Sequence, residues 1–222
     1  IGSMEETPAV LLSTGQVEEH RIVSVASGSG MTGRLRIEGT STQLVASLMT
    51  VGVQNGHGIV EQHSGEVLLD FLFVGDNTGG EAEYYLYGGN LSVQQKLSGN
   101  SNSIIHLLGG RLELGTEMSA TVQFDAGEVA LCKPITLTQD LTMGPGVTLT
   151  FVISKHNIPS GYMTGAVSLP PGYSIVVDGN IAFSFEPGVV IPGGTTLGLP
   201  NAYYSVVYIP LNYTSFILQA KK

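Results

Sequence analysis

Five stretches of this chain share one pattern of apolar positions around one small residue, and that repeat leaves few folds open. Laid over one another, TSTQLVA, HSGEVLL, YGGNLSV, LGGRLEL and DAGEVAL put Thr42, Gly65, Gly89, Gly110 and Gly127 at a common anchor. The anchors are 23, 24, 21 and 17 residues apart. Two residues later stand Leu44, Val67, Leu91, Leu112 and Val129, and four later Ala46, Leu69, Val93, Leu114 and Leu131. Five before the anchor are Ile37, Val60, Tyr84, Ile105 and Val122; three before are Gly39, Gln62, Leu86, Leu107 and Phe124, with Gln62 the one strongly polar member. Between those columns lie Glu38, Glu61, Tyr85, His106 and Gln123. A period of two on both sides of the anchor is the signature of short strands with one buried face.

Glycine at the anchor lets the backbone take φ > 0 and turn sharply without a Cβ clash. Ten residues on, Gly52, Gly75 and Gly99 open Gly/Asn/Asp clusters that read as turns between coils. A strand, a corner and a second strand recurring every ~22 residues describe one coil of a solenoid, whose inward face is buried only by stacking on its neighbours. No stretch has helical periodicity, so the expected fold class is all-β, a parallel β-solenoid. A Pro/Gly-rich C-terminal β cap or small sandwich is expected to close it.

The composition changes after Cys132. Nine of ten prolines lie between Pro134 and Pro210, and residues 133–222 hold three acids and four bases, leaving the first 132 at −10 of the net −9. The expected division is therefore a lead-in over 1–9, solenoid coils over 10–132, and a further coil or coils with the cap over 133–222. The opening IGSM reads as a cloning remnant before Met4, with no signal peptide after it. Cys132, alone in an apolar alternation, reads as a small buried hydrophobe.

The stretch VG…GGEAEYYLYGGNLSV, preceded by VGVQNGHGIVEQHSGEVLL, resembles the repeats of bacterial surface proteins related to autotransporter passengers. The resemblance covers about residues 33–131. It implies a right-handed parallel β-helix displayed outside the cell as an adhesin or scaffold, and it brings no fixed catalytic residues.

On such a frame Tyr84 falls inward, whereas Glu38, Glu61, Tyr85 and His106 form an outward ladder flanked by Arg36, Glu83, His63 and Tyr87. Acids beside aromatic rings suit sugar recognition, since rings pack on pyranose faces and carboxylates accept from hydroxyls. The candidate ligand-binding residues are Glu38, Glu61, His63, Tyr85, Tyr87 and His106.

Other chemistries find little here. Nine basic residues against 18 acids do not suit a phosphate backbone, so nucleic acid is not an expected partner. No apolar run approaches the ~20 residues of a membrane helix. The five histidines lack metal-ligand spacing, and neither a nucleophile elbow nor a phosphate loop is present, so no metal and no cofactor is expected. Glu38 and Glu61 at ~5 Å would be the carboxylate pair of a retaining glycosidase.

The expected function is a non-enzymatic, extracellular surface scaffold or adhesin whose partner is a glycan or another surface ligand. The alternatives are a phage or virus tailspike-like receptor-binding protein, or a polysaccharide-degrading β-helix enzyme. Oligomeric state is left open.

Overall fold

The computed structural model describes residues 17–115 and 117–132, together with the segments 9–12, 135–137, 141–153, 167–168, 175–185, 196–197, 207–208 and 215–219. The lead-in expected over 1–9 lies almost wholly outside these residues, as does most of the expected cap.

The described chain is all β and forms a parallel solenoid of three strand stacks. The first stack runs β1 (Ala9–Leu12), β3 (Thr32–Glu38), β5 (His57–Gln62), β7 (Glu81–Leu86), β9 (Ser103–Leu107) and then the first half of β12 (Val122–Leu131). The second runs from β2 (Val17–Ser27) through the first halves of β4 (Gln43–Val53), β6 (Glu66–Val74) and β8 (Asn90–Gly99) to β10 (Arg111–Leu114) and the second half of β12. The later halves of β2, β4, β6 and β8, followed by β11 (Glu117–Ser119), make the third. The long strands cross from the second stack to the third through a bend at Arg21, Ser47, Asp70 and Gln94, where the register skips.

The anchors behave as corners. Gly65, Gly89, Gly110 and Gly127 all have φ between 70° and 112°, and the residues after them stack as Gln43, Glu66, Asn90, Arg111 and Glu128. Successive coils in the second stack are thus 23, 24, 21 and 17 residues long, after a first step of 26 from Val17 to Gln43. The circuits are therefore unequal, shortest at the step from Arg111 to Glu128 and longer again beyond it, where Glu128 pairs with Thr148 and Thr148 with Asn180. Both apolar columns after the anchor are buried throughout, as is Tyr84 in the column before it.

The first coil departs from the alignment. Leu35, not Ile37, stands under Val60, and Ile37 stands under Gln62. The corner there is a turn from Gly39 to Thr42, with the Thr42 N–H donating to the Gly39 carbonyl at 3.0 Å and its hydroxyl donating to the Glu38 carbonyl. Two extra residues in that turn move the preceding column by two.

Coils continue past Cys132. Strand β14 (Leu141–Ile153) pairs in parallel with β12, and β16 (Ile175–Val177) and β17 (Asn180–Phe185) pair in parallel with β14. The parallel order ends where β20 (Ser215–Gln219) runs antiparallel to β17. An antiparallel strand laid on the last coil covers a sheet edge, which is what a solenoid end requires. Cys132 itself is half-buried rather than buried, because it lies just past the end of β12.

Candidate functional site

The outward face of the first stack carries the ladder. Its central column is Arg36, Glu61, Tyr85, His106 and Gln123, one residue from each of five coils. Glu38 is not in it. The wider first corner places Arg36 opposite Glu61, and Glu38 pairs with Arg36 along its own strand. A second column, Arg34, Ile59, Glu83 and Ile104, lies on one side. On the other, just past the strand ends, stand His63 and Tyr87.

Four of these side chains form a continuous array of rings. His63 lies on Tyr87 with centroids 4.8 Å apart and planes 12° apart. Tyr87 lies 6.0 Å from Tyr85 at 11°, and Tyr85 lies 4.6 Å from His106 at 5°. The two contacts between coils match the ~4.8 Å spacing of paired strands, so the parallel backbone sets the stacking distance. Faces that lie on neighbouring rings are not free to receive a ligand. The array presents edges, phenol oxygens and imidazole nitrogens instead. Tyr87, 43% exposed, and His63 are the open rings, while Tyr85 and His106 are half-buried. His106 Nε2 is buried without a hydrogen-bond partner among the described residues.

Charges brace the array. Arg34 grips Glu61 with two hydrogen bonds, Nε to Oε2 at 3.1 Å and a terminal nitrogen to Oε1 at 2.5 Å. That hydrogen bond, chiefly, holds the Glu61 carboxyl below its ordinary pKa, aided by charge from Arg34, His63 and Arg36 and opposed by burial. Burial first, and then a hydrogen bond and negative charge from Glu83, push the Tyr85 phenol up.

The paired-carboxylate arrangement is therefore not formed between Glu38 and Glu61. A glycosidase acid needs its pKa raised, and Glu61 is moved the other way. What the face offers is fixed donors and acceptors in rows.

Away from this face, Asp76 is spent on its own turn, accepting from the Gln54 N–H at 2.9 Å and from the Thr78 N–H at 3.1 Å. His57 approaches Glu81 at 3.4 Å. Among the described residues no group of three or more acidic, His or Cys side chains gathers to hold a metal ion.

The sequence reading missed Arg34 as the partner of Glu61 and the stacking of His63 on Tyr87. Both were reachable by extending the columns. Position two before the anchor holds His63 and Tyr87, and two residues before Arg36 is Arg34.

Compared with protein-family models, curated proteins and solved structures, the chain finds no match.

Proposed function

We propose that this protein is a non-enzymatic binding scaffold displayed outside the cell, which recognises carbohydrate through the outward face of the first stack. The observation that carries the reading is the array of four rings flanked by the Arg34–Glu61 pair and Glu83. Rigid aromatic edges beside ionised acceptors supply apolar contact and oriented hydrogen bonds together, as polar ligands with apolar patches need. The rows run from coil to coil along the solenoid axis, so an extended chain of sugar units can lie across several of them at once. The resemblance to bacterial surface repeat proteins supports the extracellular setting.

The test is a glycan array probed with the wild-type chain, Tyr87→Ala and Glu61→Gln. Binding to a common set of glycans, weakened by both substitutions at unchanged melting temperature, supports the reading. Silence across the array, or binding indifferent to both changes, overturns it.

A further inference from the structure

A concave feature lies on another side of the solenoid, at the bend between the second and third stacks. It is a groove of about 420 Å³ lined by residues of four consecutive coils, within the range of small-ligand sites. Val45 and Leu68, stacked in one outward column, form its apolar wall. The bend row Ser47, Asp70 and Gln94 lines it as well, with His20 and Arg21 of β2 at the end toward the first coil.

Two charges there lack partners. Asp70 is half-buried and Arg21 exposed, and neither has a hydrogen bond or ion pair among the described residues. Elsewhere the chain pairs its charges readily between coils or along a strand, as in Arg34–Glu61, Lys96–Glu117 and Arg111–Glu128. Arg21 and Asp70 lie either side of Ser47, two coil steps apart. Two steps are roughly 10 Å of backbone separation, and the two side chains do not pair across it. The groove therefore carries one half-buried carboxylate and one exposed guanidinium, each open to an opposite charge on a ligand.

We propose that this groove binds a short peptide with free termini, extended along the solenoid axis. The ammonium group sits at Asp70, the carboxylate at Arg21 beside His20, and an apolar side chain rests on Val45 and Leu68. At ~3.3 Å per extended residue, roughly 10 Å corresponds to about three residues. Ser47 and Gln94 lie along the wall where the peptide's own amides pass.

The test is calorimetric titration of the purified chain with Gly-Leu-Gly, its N-acetyl form and its C-terminal amide, on wild type, Asp70→Asn, Arg21→Gln and Tyr87→Ala. The free peptide is expected to bind saturably, and each cap to weaken it several-fold. Asp70→Asn should erase the difference between free and acetylated peptide, and Arg21→Gln the difference between acid and amide. Tyr87→Ala, on the other face, should change nothing. No saturable binding at millimolar peptide, or equal binding of free and capped forms to wild type, overturns the proposal. So does free-peptide binding that survives both Asp70→Asn and Arg21→Gln unchanged. The capped-peptide comparison needs only the wild-type chain, so it decides even if a variant folds poorly.

Discussion

The Tyr84 hydroxyl donates to Oε1 of Gln62 at 2.7 Å, joining two fully buried side chains of adjacent coils inside an apolar core. Gln62 completes its bonding through Nε2, which donates to the carbonyls of Gly65 at 3.2 Å and Asn90 at 3.0 Å. The one polar member of an inward column is thereby tied to its own corner, to the next coil's tyrosine and to the strand after the next corner. A buried polar group so satisfied fixes the order of packing rather than weakening it.

Breaking this link from either side should be costly. Tyr84→Phe leaves Oε1 of Gln62 unpaired, and Gln62→Leu leaves the phenol unpaired, each expected to destabilise by about 1–3 kcal/mol. The double variant should lose less than the two single losses added together. Urea unfolding of the four proteins reads this directly, and strict additivity would refute the coupling.

Tyr84 should also make the fold sensitive to alkali. Burial pushes its phenol far above the ordinary tyrosine range. An unfolded phenol ionises near pH ~10, while the folded one stays protonated. Stability from this group is therefore whole below about pH 10 and falls as pH rises beyond it. Thermal melts from pH 8 to 11 should show a steeper decline for wild type than for Tyr84→Phe; equal slopes would argue against it.

Acid should act through Glu61. The hydrogen bond from Arg34 holds its folded carboxyl below the ordinary glutamate range, so the contribution is present above the ordinary pKa and lost as pH falls through the folded one. Arg34 is 48% exposed, and solvent screening limits the pair to less than about 1 kcal/mol. Glu61→Gln should cost that much at neutral pH and flatten the stability profile below about pH 4.5. An unchanged acid profile would remove the ion pair as its source.

Two glycines with similar backbones separate strain from crowding. Gly30 has φ 71° with nothing within 4 Å of an added Cβ, whereas Gly89 has φ 80° and its Cβ would stand 2.2 Å from the Gly65 carbonyl oxygen. Gly30→Ala should cost about 1 kcal/mol for the left-handed backbone alone. Gly89→Ala should cost a further 1–3 kcal/mol or so from overpacking. Matched melting temperatures for the two would mean that the corner stacking has been misread.

The columns after the anchor were legible because glycine corners are fixed in length, so spacing in sequence equals register in space. The columns before it hold for Val60, Tyr84, Ile105 and Val122. They slip in the first coil, where Thr42 stands for glycine and a four-residue turn replaces the tight corner. Glu38 entered the ladder for that reason, and Arg36 is its true occupant. Gly99 was aligned with Gly75 but pairs with Val74, because β8 carries an extra residue opposite the bend. Ring stacking was less visible. Alternation gives the side of the sheet on which His63 and Tyr87 project, but not the rotamers that lay one on the other. The unpaired charges at Arg21 and Asp70 depend on what their neighbours leave unfilled, and no column records that.

The unequal coil lengths carry a consequence for how the chain finds its register. Parallel strands made of near-identical repeats can pair one coil out of step, losing contacts only at the ends while keeping every apolar residue inward. Here a chain that slipped by one coil would have to fit a 17-residue loop of backbone around a 21-residue circuit, or fold 24 residues over a path cut for 21. Corners would miss corners and inward columns would meet polar rows. The unequal circuits work as a key cut to a single lock, and they reject the misfolded states that regular repetition invites.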